Sequence, residues 1–220
     1  MDALVTTDNP TVFLIEDDEY QNRYLAAIIQ SADWPVQTFG SAQSFLDSYN
    51  PAQPGCLVLD LLLPDANGLE VQQDLREQGA TLPIIFISTH CELGVVKQAF
   101  KNGALDYFQK PVNPVEFLKG IKDAITLDAA QRQIRLAQQA IETRLRRLTA
   151  RERTVLDHLL AGLSNKDIAD TLHISIRTVE THRHHILKKM HVNQLHELIR
   201  VMANNRLIGE RTDWQLRNTT

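Results

Sequence analysis

Asp60 closes the apolar run Cys56-Leu57-Val58-Leu59 and is followed by three leucines, Pro64 and, further on, Gly68. Three other runs end on polar residues able to do chemistry. Thr11–Ile15 leads into Glu16-Asp17-Asp18-Glu19, Pro83–Ile87 into Ser88, and Asp106–Gln109 into Lys110. Carboxylates ~4 Å apart repel by about 4 kcal/mol at an effective dielectric near 20, so Glu16, Asp17 and Asp60 brought together need a counter-cation. A hard, oxygen-lined site suits Mg²⁺, which takes one or two carboxylates and keeps several waters. Such an ion withdraws charge from an incoming phosphoryl group and lets the Asp60 carboxylate attack phosphorus. Lys110 can then pair with one phosphoryl oxygen while the Ser88 hydroxyl donates to another. Singly, each residue also has an ordinary reading as a capping acid, a capping serine or a surface lysine.

The elements around these residues must bring them together. The stretch Cys56–Leu63 is apolar on both faces, as in a strand buried inside a parallel sheet, and Pro64 and Gly68 stop it. Four more strands are predicted at Thr11–Ile15, Val36–Phe39, Pro83–Ser88 and Asp106–Gln109. Helical patterns lie between them. One spans about Tyr20–Ala32, with Tyr24, Leu25, Ile28 and Ile29 on one face, and one is capped by Ser41 and runs through Phe45, Leu46 and Tyr49. Others cover Leu69–Gln78 and Leu93–Asn102, and the last begins near Asn113. Five strands alternating with five helices predict an α/β, doubly wound parallel sheet. With right-handed crossovers the first and third strands become neighbours, in the flavodoxin-like order. Glu16, Asp17 and Asp60 then meet at the switch point, and Ser88 and Lys110 end strands on the same edge.

On Glu16-Asp17, Asp60, Pro64, Gly68, Ser88 and Lys110-Pro111, residues 11–126 resemble a response-regulator receiver domain. The resemblance implies that Asp60 is the phospho-acceptor and Asp17 a direct Mg²⁺ ligand. It further implies that Glu16 acts through water and that the backbone carbonyl of Leu62 completes the protein ligands. Tyr107 matches the family's switch aromatic, Ser88 the hydroxyl that moves with it, and Lys110-Pro111 its cis peptide. Glu16 is often Asp in the family and Ser88 often Thr, with the chemistry retained. Other α/β readings fit less well. A glycine-rich dinucleotide loop is replaced by four acids after the first strand. A phosphohydrolase with an aspartate nucleophile wants a second acid two residues on, where Leu62 stands.

Charge divides the chain. Residues 1–126 carry 7 Lys/Arg against 17 Asp/Glu, and residues 127–220 carry 16 against 10. An acidic module joined to a basic one makes the second a candidate for polyanion binding. Two cysteines, Cys56 and Cys91, give no disulfide framework and suit a reducing compartment. Cys56 is expected in the core and Cys91 at the surface. The first eight residues lack the features of a signal peptide, and no apolar run approaches the ~20 residues of a membrane helix. A soluble, cytoplasmic protein without a membrane partner is expected.

From Leu127 to Leu148 there is no Gly or Pro. Leu127, Ile134, Ile141 and Leu148 recur every seven residues, with Ala130 and Ala137 between them, and Arg144 also falls on a seam position. This segment, 127–147, reads as a helical linker continuous with the last receiver helix. Two such helices pair as a coiled coil, or the stripe packs against a domain; both readings stand.

Thr149 and Glu152 form a capping-box pattern before a stripe of Val155, Leu156, Leu159 and Leu160, and Gly162 ends that helix. Ser164 caps a short helix containing Ile168, Ala169 and Leu172. A longer one follows over about Ile176–Met190, and a last one over roughly Gln194–Asn204. Two helices joined by a tight turn describe a helix-turn-helix within a four-helix, all-α domain over 148–206. A polar tail, 207–220, follows it.

The motifs Leu148-Thr-Ala-Arg-Glu152, Gly162-Leu-Ser-Asn-Lys166, Ile174-Ser175, Thr178-Val-Glu-Thr-His-Arg183 and Lys188-Lys189-Met190 resemble the LuxR-type DNA-binding domain of NarL/FixJ regulators. The resemblance implies that Glu180, Thr181 and His184 reach base edges. It implies that Lys166, Arg177, Thr178, Arg183, Lys188 and Lys189 hold phosphates or lie near them. Two readings of Glu180 stand: an acceptor for a cytosine amino group, or an ion-pair partner that orients Arg183. His182 and His185 share a helix face, yet no Cys or close acid completes a zinc ligand set.

Together these features lead to the expectation of a regulator that takes a phosphoryl group from a sensor histidine kinase, dimerises and binds double-stranded promoter DNA. Two alternatives are a protein-interaction module without DNA affinity and a small-molecule phosphohydrolase.

Overall fold

The computed structural model describes residues 9–89 and 92–203, so Cys91 and the tail 207–220 lie outside the described residues. The chain divides into two compact units at Arg132/Gln133.

The first unit holds five parallel strands: β1 (Thr11–Ile15), β2 (Val36–Phe39), β3 (Gly55–Asp60), β4 (Ile84–Ser88) and β5 (Asp106–Gln109). Their order is β2-β1-β3-β4-β5, the flavodoxin-like arrangement. Ile15 pairs with Leu59, and Asp60 with Ile87, so the carboxyl ends of β1, β3 and β4 line up. Side chains alternate along each strand between two cores. Phe13, Ile15, Leu57 and Leu59 meet α2 (Ala42–Ser48), α3 (Gly68–Glu77) and α4 (Leu93–Lys101) on one face. Val12, Leu14, Cys56 and Val58 meet α1 (Glu19–Gln30) and the first turns of α5 (Pro114–Arg146) on the other. Cys56 is fully buried, as expected, and burial pushes its thiol pKa up to about 12.

Two local differences from the sequence reading have physical causes. β3 ends at Asp60 and does not run on through the leucines; Leu62 is 61% exposed. The Asp60 carboxylate accepts the Leu62 N–H at 3.0 Å, an Asx turn that bends the chain out of the sheet. Tyr24 does not join the buried face of α1, which consists of Leu25, Ala26 and Ile29.

The second unit packs α6 (Ala150–Leu160), α7 (Asn165–Leu172), α8 (Ile176–Met190) and helical residues 195–203 around Val155, Leu156, Leu159, Ile168, Val179, Ile186, Met190 and Leu198. Thr149, Ser164 and Ser175 each cap a helix through a side-chain oxygen. His173 and His191 end α7 and α8 in the left-handed region, at φ 53° and 55°. Ile141, Leu145 and Leu148 belong to this core. The second half of the seven-residue stripe therefore packs into the unit, whereas Leu127 and Ile134 stay exposed. Arg144, read from sequence as a seam residue, donates to the Met190 carbonyl at the end of α8 (3.2 Å).

Candidate metal centre and nucleic-acid interface

In the first unit, four acids follow β1 and the fold gives them separate work. Glu16 is 2% exposed, Asp17 is exposed, and Asp18 caps α1 by accepting the Gln21 N–H at 2.8 Å. Glu16 and Asp17 join Asp60 (6% exposed) in a cluster whose carboxylate oxygens lie within 4.8 Å of one another. Among the described residues this is the only such group of metal-ligating side chains, and it excludes His182 and His185.

Lys110 reaches the cluster from beyond β5. Its Nζ donates to Asp60 Oδ2 at 2.5 Å and also to Glu16 Oε2. The peptide between Lys110 and Pro111 is cis, as the family resemblance implied. The Lys110 amide donates to the Ser88 carbonyl (2.8 Å), which ties the ends of β4 and β5. Ser88 is buried and Tyr107 is half-buried against the core formed with α3 and α4.

Burial raises the Glu16 pKa; the Lys110 hydrogen bond and charge oppose that rise without cancelling it. For Lys110, burial alone lowers the pKa, but hydrogen bonds and charges from Asp60 and Glu16 outweigh it and the net direction is upward. Lys110 thus stays protonated and compensates part of the negative charge. Two buried carboxylates, an exposed third and one ammonium leave net negative charge made of hard oxygen donors. That donor set fits a small divalent cation.

Sequence reasoning missed one acid here. Asp65, in the loop after β3, accepts the N–H groups of Ala42 (3.2 Å) and Gln43 (3.0 Å) and so caps α2 from across the sheet edge. The Gln43 bond is the main cause of its lowered pKa. No local pattern signals a cap that arrives from a different loop.

In the second unit α8 presents Arg177, Glu180, Thr181 and His184 at i, i+3, i+4 and i+7, around an open concavity of about 540 Å³. Lys166 and Lys188 are exposed; Thr178 and Arg183 are half-buried. Thr178 bonds back to its cap, with 2.8 Å between the Ser175 and Thr178 hydroxyl oxygens.

Lys189, expected from the resemblance to hold a phosphate or lie near one, donates both to Glu152 Oε2 (2.6 Å) and to Oε1 (2.9 Å). Glu152 is 3% exposed and also completes the capping box with Thr149. Burial tends to raise the Glu152 pKa, but hydrogen bonds from Lys189 and Thr149 prevail and hold it low. Sequence reasoning saw the capping role of Glu152 and missed this pairing, whose partners lie 37 residues apart.

Comparison with known proteins gives this geometry its context. Residues 12–122 match the response regulator receiver domain, and residues 146–202 match the luxR family of bacterial regulatory proteins. The response regulator protein TodT of Pseudomonas putida is 37% identical over 190 residues, covering 86% of this chain and 84% of TodT. The transcriptional regulatory protein FixJ of Bradyrhizobium diazoefficiens is 34% identical over 199 residues, covering 90% of this chain and 97% of FixJ. Among solved structures, the response regulator StyR matches with a TM-score of 0.83 at 37% identity, over 89% of this chain and 99% of that one. Full-length FixJ from B. japonicum matches with a TM-score of 0.56 at 32% identity, over 91% and 99%. The family is one of transcription factors and not of enzymes, and no helix among the described residues is long and apolar enough to cross a membrane. This chain belongs to the two-component response regulators that join a receiver domain to a LuxR-type DNA-binding domain.

Proposed function

We propose that Asp60 accepts a phosphoryl group from the histidine of a sensor kinase and that the phosphorylated chain dimerises on promoter DNA. A carboxylate oxygen of Asp60 attacks phosphorus. The new O–P bond forms as the N–P bond to the donor imidazole breaks, and the electron pair returns to that nitrogen. The cluster of Glu16, Asp17 and Asp60 around one ammonium carries this reading.

Asp17, Asp60 and the Leu62 carbonyl would hold Mg²⁺, with Glu16 acting through water. The ion supplies the charge compensation that lets one anion approach another. Lys110 leaves its carboxylate partners for a phosphoryl oxygen and the Ser88 hydroxyl donates to a second. Tyr107 turns inward as Ser88 moves. An added charge of about −1.5 to −2 at Asp60 drives that rearrangement, and the face of α4 and β5 then favours pairing.

A pair of output domains reaches half-sites about one helical turn apart. Lys166, Arg177, Thr178, Arg183 and Lys188 hold phosphates, while Glu180, Thr181 and His184 face base edges. Lys189, whose ammonium is engaged by Glu152, lies near the phosphates. The proposed organisation is a receiver over 1–126, a helical linker over 127–147, an output domain over 148–206 and a tail. The chain acts in the cytoplasm.

Intact mass, measured with and without Mg²⁺ and a small phosphodonor, tests this. The wild type is expected to gain one phosphoryl group only when Mg²⁺ is present, and Asp60→Asn none. Equal gain by Asp60→Asn, or none by the wild type, overturns the proposal.

A further inference from the structure

Glu180 is an anion on a surface that the proposed function sets against a polyanion. That placement needs a physical reason. An exposed glutamate on a helix ordinarily neutralises itself against a cation three or four residues away. Glu180 has two such neighbours on α8, Arg177 and Arg183, with the His184 imidazole also a turn away. It lies within ion-pairing reach of none of them, and it accepts no hydrogen bond among the described residues. The ion-pair reading weighed from the sequence, in which Glu180 orients Arg183, is therefore not the arrangement adopted.

Glu180 instead lines the concavity with Arg177, Thr181 and His184, and Arg183 does not. The Thr181 hydroxyl hydrogen is spent on the Arg177 carbonyl (2.9 Å). The face thus offers an unengaged carboxylate acceptor one helical turn from an unengaged guanidinium donor.

Major-groove chemistry narrows what such a face can meet. Guanine presents the N7 and O6 acceptors and thymine presents O4, all of which repel a carboxylate. Cytosine N4 and adenine N6 are the amino donors on that edge, and adenine sets its N7 acceptor beside its donor. A carboxylate, which only accepts, is better matched to cytosine, and the Arg177 guanidinium beside it suits the phosphate that flanks that base.

We infer that Glu180 is a specificity-determining residue that accepts a hydrogen bond from the N4 amino group of cytosine, with Arg177 beside it on the flanking phosphate. This rests on the DNA-binding reading above and adds to it the base chemistry. A carboxylate so placed selects chiefly by exclusion, because guanine and thymine leave it desolvated and unpaired beside phosphates, and adenine sets its N7 acceptor against it.

The test is selection from a random duplex library with the full-length chain, held in its acceptor-occupied state with Mg²⁺ and beryllium fluoride. Wild type, Glu180→Gln and Glu180→Ala are compared, with their thermal unfolding measured alongside. The wild type is expected to enrich a half-site with one fixed cytosine. Glu180→Ala loses the preference at that position by about tenfold while keeping the rest of the site. Glu180→Gln shifts the position toward adenine, since an amide can both donate to N7 and accept from N6. If the wild type enriches a motif whose every position is unchanged in both variants, or if the position altered is not a cytosine, this inference fails and the DNA-binding reading stands. If the wild type enriches no sequence and retains no duplex at low salt, both fall together.

Discussion

Gly68 opens α3 directly against the end of β3. A Cβ there meets the Asp60 carbonyl oxygen at 2.6 Å, the Leu61 Cα at 3.0 Å and a Phe86 ring carbon at 3.1 Å. Two of these are backbone atoms, which cannot swing aside, so a methyl group moves either α3 or Asp60. Gly68→Ala is expected to destabilise the receiver by about 1–3 kcal/mol, the usual cost of overpacking, and to slow phosphoryl uptake. Thermal unfolding and the rate of mass gain measure the two effects, and wild-type values for both would remove Gly68 from this account. At this scale the sequence was informative because each reactive residue follows an apolar run, and parallel strands must align their carboxyl ends. Less legible was the resting arrangement. Lys110 was read as a phosphoryl partner, but which oxygens an ammonium meets before any phosphoryl arrives depends on burial, which residue types alone do not encode.

Among the helices of the second unit, the Glu152–Lys189 pair fastens α6 to α8, the helix that carries the proposed base contacts. The folded unit holds the Glu152 pKa below its ordinary value of 4.5, so the pairing favours folding whenever the carboxylate is ionised. That contribution is present in full above the unfolded value and is lost as pH falls through the folded one. Calorimetry of the intact chain should show the second unit's transition dropping as the pH is taken below about 4.5. Glu152→Gln should start lower and fall less over the same range. Parallel pH curves for the two proteins would show that the pair is not what links stability to protons. The seven-residue stripe teaches a related lesson about sequence. Its periodicity announced a helix, and α5 does run unbroken from Pro114 to Arg146. Periodicity marks an apolar face without naming its partner, so Ile141 and Leu148 fitted a seam and a domain core equally well.

Across the whole molecule, the charge asymmetry remains a sound guide to two modules, although part of the basic excess is tied to the second unit's own backbone. Arg144, Arg151 and Arg153 each donate to a backbone carbonyl within the second unit, at 3.2, 2.9 and 3.2 Å. The junction between units also falls later than the composition implies, because α5 is fastened to the first unit beyond residue 126. Asp128 is 1% exposed; its Oδ2 accepts the Gly55 N–H at 2.9 Å and the Arg132 Nε–H at 2.7 Å. Arg132 in turn donates to the carbonyls of Pro51, Ala52 and Gln53. Asp128→Ala strands a buried amide and should lower the stability of the first unit by about 1–3 kcal/mol. It should also speed hydrogen exchange at Gly55 in the unphosphorylated chain. An unchanged unfolding temperature together with unchanged exchange would mean the fastening is idle.

Gly55 and Asp60 are the two ends of one strand. The proposed acceptor is therefore mounted on a short rod whose opposite tip is pinned to the helix that leaves the receiver. Sliding of that rod when the acceptor is occupied would strain the pin, and a single amide hydrogen at Gly55 would then gauge the receiver's state, readable with neither kinase nor promoter in the tube.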